Sequence, residues 1–85
     1  MTKREVFVLR DLAMNNGGVA RFVETANQFS SNIKISYASY TMNAKSLLGV
    51  INLCLRPGIE VDLTAEGPDE EVAVNMLEAI LTGKY

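Results

Sequence analysis

Apolar and polar positions along this 85-residue chain repeat with two different periods, and the places where the period changes mark its elements. Glu5-Val6-Phe7-Val8-Leu9 is rich in β-branched and aromatic residues between charged ends, which suits a first strand. Leu12-Ala13-Met14-Asn15-Asn16-Gly17-Gly18 joins asparagines to two glycines and predicts a turn. From there Val19, Phe22, Val23, Ala26 and Phe29 recur at helical spacing, with Arg21, Glu24, Thr25 and Gln28 on the other face. Ser30-Ser31-Asn32 breaks that pattern, and Ile33-Lys34-Ile35-Ser36-Tyr37 alternates with period two, as a half-buried strand does. A turn near Ala38-Ser39 leads to the short strand Tyr40-Thr41-Met42-Asn43, predicting a hairpin.

The run Leu47 to Leu55 is almost wholly apolar, with Ser46 at its entrance and Arg56-Pro57-Gly58 at its exit, the capping and stop signals of a short helix. Ile59-Glu60-Val61-Asp62-Leu63-Thr64-Ala65 alternates again and predicts a fourth strand. Gly67-Pro68-Asp69-Glu70-Glu71 places a turn and three carboxylates before a last helix, where the positive end of the macrodipole favours them and they read as solvated charge. That helix presents Ala73, Met76, Leu77, Ile80 and Leu81 on its apolar face, and Gly83 is placed to stop it. The order β-α-β-β-α-β-α predicts an α+β open-faced sandwich: a four-stranded, mostly antiparallel sheet with three helices on one face and water on the other.

Length and composition narrow the function classes. A chain this short supports a single core, so residues 1–85 form one domain. Its apolar content of 48% against 21% charged residues excludes the profile of a disordered segment. No apolar run approaches the roughly 18 residues of a membrane span, and no signal-type stretch follows the first residues, so a cytoplasmic protein is expected. The net charge of −2, with cations scattered, offers no footprint for nucleic acid or anionic lipid. One cysteine excludes an internal disulfide, and without histidine a metal site has almost no ligands. Cys54 is expected as a small buried apolar residue. No metal or other cofactor is expected, and no residue pattern points to an enzyme.

Three segments carry a family resemblance. Asn43-Ala44-Lys45-Ser46-Leu47-Leu48-Gly49-Val50 resembles the regulatory-serine segment of the histidine-containing phosphocarrier (HPr) family. Ala65-Glu66-Gly67-Pro68-Asp69-Glu70-Glu71 resembles that family's acidic turn into its last helix, and Val23-Glu24-Thr25-Ala26-Asn27-Gln28-Phe29 resembles the end of its first helix. The resemblance spans the whole chain and implies the HPr-like fold that the pattern also predicts. Where the family's active loop carries Gly-Leu/Ile-His-Ala/Thr-Arg-Pro-Ala, this chain has Ala13-Met14-Asn15-Asn16-Gly17-Gly18-Val19. Asn15 thus occupies the position of the phosphorylated histidine and Gly17 that of the arginine. An amide nitrogen whose lone pair is delocalised into its carbonyl is no phosphoryl acceptor, and the bidentate fork for phosphate is gone as well.

The chain is therefore similar to the catabolite-repression HPr-like relatives, which lack the histidine and keep the serine. By local sequence alone Ser46 is a helix cap; the resemblance implies phosphorylation there by HPr kinase/phosphorylase. Leu47, Leu48, Val50, Ile51, Leu53 and Cys54 surround a helix that can bury only one face. Val50 and Leu53 are assigned to the core and Leu47, Leu48 and Ile51 to an exposed patch, which the resemblance implies is used for partner docking. A catabolite-control transcription factor is the kind of reader implied. Asn16, Gly17 and Gly18 are an ordinary cap and loop, or else a backbone site for an anion. The leading expectation is a regulatory binding module of the sugar phosphotransferase system. The alternatives are a diverged phosphocarrier with lost or altered transfer, or an HPr-fold module unrelated to sugar uptake. A monomer, or a weak or strand-exchanged dimer, is expected.

Overall fold

The computed structural model describes residues 1–12 and 16–83. Its elements are β1 (Thr2–Phe7), α1 (Asn16–Asn27), β2 (Asn32–Tyr37), β3 (Tyr40–Asn43), α2 (Leu47–Asn52), β4 (Glu60–Glu66) and α3 (Glu70–Thr82). The strands form one sheet in the order β1-β4-β2-β3, and every neighbouring pair is antiparallel. This is the expected open-faced α+β sandwich. Alternation decides its two sides: Val6, Ile33, Ile35, Val61, Leu63 and Ala65 are buried toward the helices, whereas Lys3, Glu5, Phe7, Lys34, Thr41 and Glu60 are exposed. Phe22, Leu12, Leu55, Leu77, Ile80 and Leu81 complete the core from the helical side.

Several boundaries differ from the pattern, each for a packing reason. β1 runs from Thr2 because its ladder with β4 extends to the pair Thr2↔Ala65, and it ends at Phe7 rather than Leu9. α1 starts at Asn16, so Gly17 and Gly18 lie in its first turn and not in a loop. A Cβ on the buried Gly18 would stand 3.3 Å from Leu12 Cγ, so any larger residue there would require the Leu12 side chain to give by a few tenths of an ångström. Thr25 is buried rather than outward, because α1 packs against both α2 and α3 and its covered face is wider than one stripe. In α3, Val74 joins Ala73, Leu77, Ile80 and Leu81 in the core, and Met76, at the edge of that stripe, is half-buried.

Cys54 is exposed, contrary to expectation. α2 ends at Asn52, Leu53 is its C-cap, and Cys54 adopts a left-handed φ of 53° that reverses the chain. The two leucines either side of it take the core positions, which turns the thiol to solvent.

The acidic turn before α3 is not merely solvated. Asp69 leaves its own helix uncapped and instead accepts the backbone N–H of Ser30 (2.9 Å) and of Ser31 (3.0 Å) and the Ser31 hydroxyl. It thereby ties the α1–β2 turn to the start of α3. Glu70 accepts the Gly67 N–H at 3.1 Å, the Thr2 hydroxyl, and the Met1 amine at 3.1 Å, so it closes β1 onto the same turn. Between them Gly67, at φ 154°, passes so near Ser31 that a Cβ would lie 2.7 Å from Ser31 Cα. Only glycine fits.

Each of these hydrogen bonds favours the ionised carboxylate. The Ser31 hydroxyl and Ser30 N–H lower the Asp69 pKa, and the Thr2 hydroxyl, then the Gly67 N–H, lower that of Glu70 from 4.5 to about 2. A depressed carboxyl pKa contributes stability that is complete above the unfolded value and is lost as pH falls through the folded one. Stability is accordingly expected to decline from pH 4.5 toward about 2. Urea denaturation at stepped pH should show a shallower acid limb for Glu70→Gln, and an unchanged limb would contradict the clamp.

Candidate functional site

α2 is built to display side chains. Asn43 folds the approach: its Oδ1 accepts the Lys45 N–H (2.9 Å) and its carbonyl accepts the Ser46 N–H (3.0 Å). Ser46 is extended at φ −101°, ψ 115°, and its Oγ accepts the Gly49 N–H at 3.2 Å, the N-cap expected of a serine at a helix entrance. Lys45 anchors this corner to the end of α1, donating from Nζ to the Phe29 carbonyl (2.8 Å) while its own carbonyl accepts from Asn27 Nδ2 (3.1 Å). At the far end of α2 the Leu12 N–H donates to the Leu55 carbonyl at 2.9 Å. α2 therefore runs alongside α1 in the opposite direction, with Ser46 near the end of α1 and Leu55 beside Leu12.

Between these two ends the helix turns Val50 fully inward and Leu53 nearly so, leaving Leu47 46%, Leu48 76% and Ile51 44% exposed. Ser46 itself is half-buried, and the first turn of α2 contains no acidic side chain. The structure thus brings Ser46 and the apolar triad onto one surface. Gly17, exposed, and Gly18, buried, lie in the first turn of α1, near the opposite end of α2 from Ser46. Asn15 lies outside the described residues, as does the side chain of Asn16. Cys54, whose exposure the sequence did not signal, follows the triad at the end of α2. Among the described residues no three His, Cys, Asp or Glu side chains gather as a metal site would require, and no helix is long and apolar enough to cross a membrane.

A four-stranded antiparallel sheet with three helices, a capped serine opening the short one and an exposed apolar triad on it, places the chain in the class of small α+β open-faced sandwiches. The family model PTS-HPr, described as "PTS HPr component phosphorylation site", matches residues 3–82. The chain is 32% identical over 85 residues to phosphocarrier protein HPr of Treponema pallidum (strain Nichols), covering 100% of this chain and 97% of that protein. It is 34% identical over 79 residues to HPr-like protein Crh of Bacillus subtilis (strain 168), covering 93% of each. The crystal structure of HPr-C-His from Thermoanaerobacter tengcongensis superposes with a TM-score of 0.90 at 33% identity, covering 99% of this chain and 94% of that one. The chain belongs to the HPr family, in which its relatives include phosphocarrier proteins and HPr-like protein Crh.

The cap separates two consequences of changing Ser46. Ser46→Ala should lose about 1 kcal/mol, because the Gly49 N–H loses its acceptor, whereas Ser46→Asp, a residue equally good at the N-cap, should stay within about 0.5 kcal/mol of the parent. Urea denaturation of both variants measures this, and an alanine variant as stable as the parent would remove the cap from the account.

Proposed function

We propose that this chain is a regulatory binding module of the bacterial sugar phosphotransferase system and of carbon catabolite control. It acts in the cytoplasm, with Ser46 as its phosphorylation site and Leu47, Leu48 and Ile51 as its partner surface. The observation that carries this reading is the placement of a half-buried serine hydroxyl beside an exposed apolar triad, in a chain with no histidine. Similarity to HPr-like protein Crh supports it.

In this reading HPr kinase/phosphorylase directs Ser46 Oγ to the γ-phosphorus of ATP. The oxygen forms the new P–O bond, its proton leaves to a base on the kinase, and ADP departs. The product carries about −1.5 to −2 charge, at a helix start whose dipole favours it and whose first turn holds no carboxylate to repel it. A partner such as a catabolite-control transcription factor would then meet a phosphate and an apolar patch side by side, a charge-assisted contact next to a desolvated one. With Asn15 in place of the histidine and Gly17 in place of the arginine, the family's loop lacks both nucleophile and guanidinium. What it retains is a helix start at Asn16, Gly17 and Gly18, offered here as a site for a free or protein-borne phosphate without covalent capture. One observation favours the second reading, a diverged carrier with altered transfer: the match to the phosphorylation-site model runs through this loop.

Incubation with HPr kinase and ATP should add one phosphate, located at Ser46 by mass spectrometry and absent from Ser46→Ala. Incubation with enzyme I and phosphoenolpyruvate should add none, and a phosphate found in residues 13–19 would establish the carrier reading instead. Leu48→Asp should abolish capture of the transcription factor by the phosphorylated protein while changing stability by less than about 0.5 kcal/mol, as expected at so exposed a position.

A further inference from the structure

β1 is an edge strand, paired with β4 on one side only among the described residues. The Val8 N–H donates to the Ile59 carbonyl and the Val8 carbonyl accepts from Gly58, so the even-numbered residues of this segment turn their backbone groups toward β4. The Leu9 N–H points the other way, to the Leu81 carbonyl, and closes the outer edge at that residue. Antiparallel alternation then directs the N–H and C=O groups of Lys3, Glu5 and Phe7 outward, away from β4.

The side chains of these three residues lie together on the open face of the sheet and are exposed. Glu5 among them stands directly across from a like charge, Asp62, and Glu60 follows opposite Phe7. Like charges in directly opposed positions destabilise a sheet, and a cation on the free side of Glu5 would relieve this.

We propose that two copies of this chain associate through the outer edges of β1, antiparallel about a two-fold axis at Arg4, so that Lys3 faces the partner's Glu5. Charged residues on an edge ordinarily prevent strand pairing, yet Lys3 and Glu5 complement each other in this one register. Both then form hydrogen-bonded pairs, and Met1 and Phe7, 81% and 60% exposed, meet at each end. An axis at Glu5 would set two carboxylates face to face, and an axis at Val6 would set Glu5 against the partner's Phe7. Arg4 can approach its own copy because its guanidinium is already held by Glu78 (2.8 Å) and Asn75 (2.7 Å). The opposite edge of the sheet, β3, is four residues long and has no charged side chain to select a register. So small a contact gives a weak, concentration-dependent dimer with a continuous eight-stranded sheet.

Sedimentation across a concentration series, with amide exchange on the same samples, tests this in the intact protein. The parent should dimerise reversibly, with added protection at the amides of Lys3, Glu5 and Phe7. Lys3→Glu and Glu5→Lys should each weaken association about tenfold, and the double variant should restore it to within about threefold. An equimolar mixture of the two single variants should associate more tightly than either alone, and circular dichroism should show all of them folded. A strict monomer, open-ended assembly, or a dimer indifferent to these charges, as strand exchange would give, overturns the proposal.

Discussion

A four-stranded sheet covered on one face only is the constraint on which the rest of this molecule depends. Every buried strand residue must fall on the helical side, so a one-residue slip in register would exchange Val61, Leu63 and Ala65 for Glu60, Asp62, Thr64 and Glu66. It also fixes how much helix is needed. α1 and α3 cover the sheet as long amphipathic helices, and α2, only six residues long, fills what remains with Val50 while its other apolar side chains stay in water. The exposed apolar triad follows from that arithmetic: a short helix, almost uniformly apolar in sequence, cannot bury itself, and what it cannot bury it presents.

Most of this was legible in the sequence because it rests on local signals. Period-two runs located β2 and β4, β-branched and aromatic content located β1, a hairpin turn located β3, helical spacing located α1 and α3, and Ser46 with Arg56-Pro57-Gly58 bracketed α2. The exposed triad followed from counting apolar residues around one helix. What was not legible depends on residues far away in the chain. Asp69 and Glu70 looked like solvated charges suited to a helix start, yet their partners are 38, 39 and 68 residues distant. Thr25 is buried because of what α1 packs against, which its own spacing cannot reveal. Cys54 was misplaced because its side-chain chemistry says buried, while a left-handed backbone between two core leucines says otherwise.

The two acidic clamps and the displayed helix rest on two sets of contacts. Asp69, Glu70 and Gly67 hold the α1–β2 turn, β1 and the start of α3 together. Ser46 depends on different contacts, those of Asn43, Lys45 and the end of α1. The two sets meet at one peptide, because Lys45 donates to the Phe29 carbonyl while Asp69 accepts the N–H of the following Ser30, so the starts of α2 and α3 are held to the same turn after α1.

The sheet order has a consequence for the order of synthesis. β4 lies between β1 and β2, though it is the last strand to be made. A nascent chain that has exposed β1, α1, the β2–β3 hairpin and even α2 still lacks the strand that joins β1 to the hairpin. Until residues 60–66 leave the ribosome there is no continuous sheet for α2 to rest on, so a kinase that recognises the folded serine corner would meet it only on a nearly finished polypeptide. The topology thus acts as a clock, withholding the settled serine corner until the polypeptide is all but complete.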